Sequence, residues 1–186
     1  MSALPFPEPP LTDGTVLLRA WHEADEAQRH AGFADPLCQQ FSWSPATPFT
    51  EEHTRAAFAQ DEEGRLAGES LNLAVTDATH TGVIWGGTSI YDVDPRSASA
   101  SVGYWLAPQA RGRGIATRTL RLLSAWALGQ LAVERLTLTC APDNAASQRV
   151  ALRCGFVREG VLRSHLPFQG ARRDTMIFSL LPGELR

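Results

Sequence analysis

Lysine is missing from this sequence altogether: all 17 of its basic residues are arginine. Without it no Gly-rich stretch can serve as a P-loop, which needs an ammonium on the transferred phosphates. Cysteine is scarce. Cys38, Cys140 and Cys154 are too few and too scattered for a disulfide framework or a zinc knuckle, so they read as reduced, buried thiols, and no metal is expected. No apolar run is long enough to cross a bilayer, and "MSALPFPEPPLTDG" lacks the basic start and apolar stretch of a secretion signal. Positive charge is not in excess either: 20 acids against 17 bases leave a formal net charge of -3, which argues against binding nucleic acid through a basic face. The expectation is a cytoplasmic protein that engages no nucleic acid and no membrane, and whose partner is a small molecule or another protein.

The 186 residues suffice for one domain with a sizeable core. Four prolines between Leu4 and Leu11 make residues 1–11 an extended lead-in that packs loosely, if at all, and leave 12–186 as a single domain. "TVLLRAW" has strand character and "HEADEAQRHAGF" is helix-prone, with acids in its first turn. Thr50, followed by Glu51 and Glu52, caps a helix that should run to about Gly64. "SLNLAVTD", "GVIWGGTSIYDVD" and "ASASVGYWLA" form an antiparallel meander with a turn at Asp94-Pro95-Arg96.

The clearest helix spans about Ile115 to Leu131, with Ala116, Leu120, Leu123, Ala127 and Leu131 on one face. "RLTLTC" alternates as a half-buried strand, Pro142-Asp143-Asn144 breaks it, and a short helix follows to Arg153. The tail reads as a long hairpin around Gln169-Gly170. The fold class is α/β: a mixed sheet with helices on its faces.

Between the last meander strand and the best helix lies "QARGRGIAT", Gln109 to Thr117. A lone Gly-X-Gly need do no more than turn the chain. Between a strand and a helix, however, it exposes the unpaired N–H groups of the first turn and the positive end of the helix dipole, while Gly112 and Gly114 remove β-carbons that would hold a phosphate away. Arg111 and Arg113 add charge at the rim. A dinucleotide fingerprint stays open on these residues: Gly112, Gly114 and Thr117 match it except at the third glycine, and Asp143 follows the next strand, though farther on than roughly 20 residues.

"VGYWLAPQARGRGIATRTLRLL" and "LTCAPDNAASQRVALRCGFVREGVLR" resemble the GNAT superfamily of acetyl-coenzyme A-dependent N-acetyltransferases, and within it the branch that acetylates the N-termini of ribosomal proteins. The resemblance implies a GNAT-like sheet, mostly antiparallel, with a splayed central strand pair flanked by helices. It implies acetyl-coenzyme A as co-substrate, its pyrophosphate on Arg111, Gly112, Arg113, Gly114, Ile115, Ala116 and Thr117, and its pantetheine arm in the splay near Leu106 and Asn144. Leu106 N–H would serve the oxyanion. Ser147 would bond the sulfur and act as general acid, since the position where many relatives carry tyrosine is Ala151.

By the same likeness Glu159 is the base facing the acceptor amine, with His165 or water in reserve, and Asp174 is structural. Capping explains Asn144 and Ser147 equally on sequence alone. Trp43 and Trp85 either line an acceptor pocket or, the favoured reading for large aromatics, pack in the core. Asp61-Glu62-Glu63 and Asp92 with Asp94 either attract a cationic substrate or are solvated loops. The expected acceptor is a protein N-terminal α-amine; a small-molecule amine, such as an aminoglycoside, polyamine or amino-acid-like metabolite, and a non-catalytic acyl-coenzyme A-binding role are the alternatives. The hairpin edges offer a surface for a homodimer.

Overall fold

Period-two alternation builds the sheet at the centre of the chain, which is described here in a computed structural model over residues 2–186. Its strands are β1 (Leu11–Thr12), β2 (Val16–Arg19), β3 (Leu71–Asp77), β4 (Ile84–Asp94), β5 (Ser99–Leu106), β6 (Arg135–Cys140), β7 (Val157–Phe168) and β8 (Ala171–Leu180). Its helices are α1 (Glu26–Phe33), α2 (Pro36–Ser42), α3 (Glu51–Ala67), α4 (Ile115–Gln130) and α5 (Ala145–Arg153). One sheet holds the strands in the order β1-β2-β3-β4-β5-β6-β8-β7. Among the described residues only β5 and β6 pair in parallel, which rules out the doubly wound parallel sheet of a dinucleotide fold.

The alternation assigns the faces. Ile90, Val102, Leu136, Leu138, Phe178 and Leu180 pack into a buried cluster with Leu120, Leu123 and Ala127 of α4. On the opposite face Trp105 meets Phe33 of α1 edge-on at 5.5 Å and stacks on Trp21 at 6.3 Å. Arg29 of α1 lies 4.7 Å from the rings of both Trp21 and Phe58 of α3.

Two expectations need correction. The proline-rich lead-in is docked: Leu4 is 7% exposed, its N–H donates to Arg65 O and its carbonyl accepts from Arg65 Nη1, both at 2.9 Å. Prolines leave few N–H groups to satisfy, so an extended segment settles beside α3 with little polar loss. And α3 passes Gly64 to end at Gly68, whose φ of 77° makes the left-handed cap.

Entry into α1 is pinned by Asp25, which is 4% exposed and takes bonds from both Arg19 terminal nitrogens, 2.7 and 2.9 Å, and from His22 N–H, 2.9 Å. Burial alone would raise its pKa, but the Arg19 and His22 bonds outweigh it and hold the carboxyl below its ordinary value. A depressed carboxyl stabilises the fold above its unfolded pKa and loses that contribution as pH falls through the folded value. Asp25→Asn should therefore cost about 2 kcal/mol at pH 7. In thermal melts across pH its deficit should shrink progressively as pH falls below the ordinary Asp value of about 3.9 and through the lower folded one; a gap that stays constant across that range would mean the charge is not what matters.

The feature that positions the site is a parting of the sheet. β5 and β6 pair only over Ser99–Ser101 and Arg135–Thr137. Beyond that β5 stays with β4 as far as Leu106, opposite Gly86, and β6 stays with β8 as far as Cys140, opposite Met176. Each half-sheet keeps its own twist, and the expected splay opens between them.

Candidate active site

Two clefts meet in this splay. The first, of about 640 Å³, lies between the 110–117 loop, the start of α5 and α2. Gly112 and Gly114 adopt φ of 71° and 77°, and a β-carbon on either would meet nothing within 4 Å, because both border open cleft. Gly114 is the N-cap of α4, and the first backbone bond back to it comes from Arg118 N–H, 3.2 Å. The N–H groups of Ile115, Ala116 and Thr117 therefore have no partner within the helix, and a sixteen-residue dipole stands behind them. That cradle fits a diphosphate.

Strand alternation adds two more donors. Ala107 N–H bonds Trp85 O at 2.9 Å, so the neighbouring pairs Gly86–Leu106 and Thr88–Tyr104 fall in alternate positions of the ladder. The N–H of Leu106 and of Tyr104 then point away from β4, into the splay.

The two arginines of the loop behave differently from expectation. Arg111 lines the cleft, but its guanidinium folds back onto Leu106 O, 2.9 and 3.1 Å, onto Cys38 Sγ, 3.3 Å, and into an ion pair with Asp35, the N-cap of α2. It ties α2 to the end of β5 and is not free for a phosphate. Arg113 leaves the cleft and lies 4.9 Å over Trp85. Cationic groups missed in the sequence face the cleft instead: Arg149 and Arg153, one turn apart on α5. Their i, i+4 spacing was the available signal.

The second cleft, about 300 Å³, opens on the opposite face of the sheet among Ser89 and Tyr91 of β4, Gly103 of β5 and Thr139 of β6. Phe41, Ser42, Tyr104, Asn144 and Ser147 line both clefts. At this junction Tyr104 O–H donates to Ser147 Oγ at 3.2 Å, and Asn144 Oδ1 accepts Ser147 N–H at 3.0 Å as the cap of α5. Burial pushes the Tyr104 phenol up to about 12 and raises the Cys140 thiol at the end of β6. The thiols are all free and buried.

The roof over the junction is α2, held at both ends. Arg111 grips its start, while from the hairpin tip Arg173 donates to Gln40 O, 3.1 Å, and Gln169 N–H to Ser44 O, 2.6 Å.

Glu159 is not part of this assembly, and that expectation is corrected. Its carboxylate is bound to Arg135, 3.0 and 2.5 Å, and accepts from Ser179 Oγ, 2.7 Å. Those bonds, Arg135 first, depress its pKa, the wrong direction for a base working near neutrality. Arg135 is five residues, about 15 Å, back along β6 from Cys140. His165 bonds Thr175 Oγ1 at 2.8 Å and lines neither cleft, nor does Asp174, which takes Ser164 N–H at 2.7 Å. Trp43 belongs to a cluster with Phe33, Phe49 and His53, and Trp85 is buried. Asp61 pairs with Arg29 and Glu62 with Arg65, and neither acid lines either cleft of the splay.

Residues 15–157 match the family described as acetyltransferase (GNAT) domain. The chain is 33% identical over 114 residues to the "Putative ribosomal N-acetyltransferase YdaF" of Bacillus subtilis (strain 168), a match that spans 61% of this chain and 62% of that one. It is 35% identical over 87 residues to the ribosomal-protein-serine acetyltransferase of Escherichia coli (strain K12), 47% of this chain and 49% of the relative. Among solved structures, Mycobacterium smegmatis RimJ in complex with CoA-disulfide superposes with a TM-score of 0.81 at 26% identity, over 95% of this chain and 87% of that one.

Proposed function

The chain belongs to the GNAT acetyltransferase family, whose members are acetyl-coenzyme A-dependent acyltransferases, and from that premise we propose that it transfers acetyl directly to a protein N-terminal α-amine. We take residues 12–186 as one catalytic domain with the lead-in packed against it. The observation that carries the reading is the meeting of the open amide cradle at α4 with the splay beside Leu106, and of both with Ser147.

In this reading the diphosphate rests on the N–H groups of 115–117 and the pantetheine arm runs between β5 and β6 past Asn144. Acetyl-coenzyme A supplies the thioester. Leu106 N–H faces the carbonyl oxygen as it gains charge, the kind of preorganised donor whose loss typically costs about 10²- to 10³-fold. Ser147 O–H stands where the departing sulfur needs a proton.

The acceptor side favours an α-amine for a simple reason. Among the described residues the second cleft is lined by hydroxyls, a thiol, the Asn144 amide and apolar groups, with no carboxylate or imidazole. Nothing there can hold a polycation or strip an ammonium, so the nucleophile must arrive as the free base. At pH 7 an α-amine of pKa near 7.7–8.0 offers roughly 300-fold more free base than an alkylamine near 10.4. The names of the relatives point the same way.

Acetyl-coenzyme A at about 100 times its Kd should stabilise the fold by about 2.7 kcal/mol, a Tm rise of roughly 5–10 °C, with no shift from NAD. Thiol release at pH 7 should then be faster with Ser- and Ala-starting peptides than with spermidine or an aminoglycoside. A polyamine that outpaces the peptides would move the acceptor to the small-molecule class, and binding without thiol release from any acceptor would leave only an acyl-coenzyme A-binding role.

A further inference from the structure

We infer that the hydroxyls of Tyr104 and Ser147 form a two-membered proton wire that carries the proton of the attacking nitrogen to the departing sulfur. The inference rests on Ser147 as the acid proposed above, and it answers a problem that the site itself poses. A neutral amine that adds to a thioester becomes cationic and must lose a proton, yet the second cleft offers no carboxylate or imidazole among the described residues to take it. Meanwhile the sulfur on the other side of the splay must gain one.

Tyr104 and Ser147 line both clefts, and they are joined by the 3.2 Å bond in which Tyr104 donates. A hydroxyl that accepts from Tyr104 keeps its own proton for another acceptor, so the bond turns Ser147 O–H away from Tyr104. The phenol oxygen retains lone pairs to accept from nitrogen. The step balances without any outside acid or base: the N–C bond forms and the C–S bond breaks, the nitrogen proton passes to Tyr104 O, the Tyr104 proton to Ser147 O, and the Ser147 proton to sulfur. Both hydroxyls end as they began.

The surroundings keep the wire charged with protons. Burial holds the phenol at about 12, and the neighbouring thiols Cys140 and Cys154 and the Tyr91 phenol are raised by burial as well. The other ionisable groups bordering the clefts, Cys38, Asp143, Arg111, Arg149 and Arg153, line the cofactor side and not the acceptor side. Sequence could not reveal the pair, because 43 positions separate its members.

Tyr104→Phe keeps the ring and removes the relay. With acetyl-coenzyme A and the fastest peptide of the panel above, kcat should fall to about the level of Ser147→Ala, about 10²-fold below the unaltered protein, while KM for acetyl-coenzyme A stays within about threefold. Adding Tyr104→Phe to Ser147→Ala should cost nothing more, because the two act as one unit. Independent of any variant, rates of the unaltered protein in mixtures of light and heavy water should bow downward, as several protons in flight require. A Tyr104→Phe kcat within twofold of the unaltered protein, losses that multiply in the double variant, or a linear dependence on deuterium content would overturn the wire. If Ser147→Ala keeps the full rate, the fault lies in the assignment of the acid itself; if it is slow while Tyr104→Phe is fast, only the relay fails.

Discussion

Gly86→Ala is expected to lower the melting temperature by roughly 6–12 °C and kcat/KM by about 10²-fold. A β-carbon at this position would lie 2.1 Å from Trp105 O and 3.0 Å from Leu106 Cα and Cδ2. The nearest of these is backbone, which cannot swing aside as a side chain can, so β5 must move off β4. That costs about 3 kcal/mol, at the upper end for overpacking. The same displacement carries away Leu106, whose N–H must stay aimed into the splay. A backbone donor cannot be deleted by exchanging its own side chain, so pushing it from behind is the practical test of the oxyanion role. Melting curves and steady-state rates measured together check it, and an alanine variant with ordinary stability and ordinary kcat would show that this strand pair is slack and the donor unimportant.

Ser147→Ala should reduce kcat about 10²-fold or more with little change in KM for acetyl-coenzyme A. The substitution is unusually clean. The cap of α5 is the bond from Ser147 N–H to Asn144 Oδ1, which alanine keeps. In the proposed reading the diphosphate is held by main-chain groups of the 112–117 loop, which alanine does not touch. What is lost is one hydroxyl, with the mostly buried Tyr104 O–H left without its acceptor, at a cost of about 1 kcal/mol and a Tm drop of a few degrees. Steady-state kinetics beside a melt separate these effects. A variant as active as the unaltered protein would remove Ser147 from the chemistry and leave the hydroxyl a packing detail.

Much of the architecture was legible because it is local. "RLTLTC" became β6 without a residue's difference, since alternation leaves one register that buries Leu136, Leu138 and Cys140. The turn at Gln169-Gly170 and the caps at Thr50 and Asn144 also lie where short-range stereochemistry put them. What escaped was non-local. The helix α2 has seven residues and no repeating apolar face; it is held by Asp35 at its own start and by Arg111 and Arg173 from 73 or more positions away. Glu159 was misjudged because spacing along the chain does not reveal strand order. β8 lies between β6 and β7, and the register shift between Arg158 and Gly160 leaves Glu159 with Arg135 and Ser179. Arg111 was placed correctly in its loop, but no local rule could give the direction of its guanidinium.

The double anchoring of α2 divides the molecule's freedom to evolve. One anchor belongs to the glycine-rich loop that borders the first cleft, while the other belongs to the tip of a hairpin whose residues 168–173 line neither cleft. Changes at 168–173 can therefore shift the far end of α2, and with it Phe41 and Ser42, which border both clefts, without altering a residue of the 111–117 loop. A scaffold built this way can be retuned from its rim.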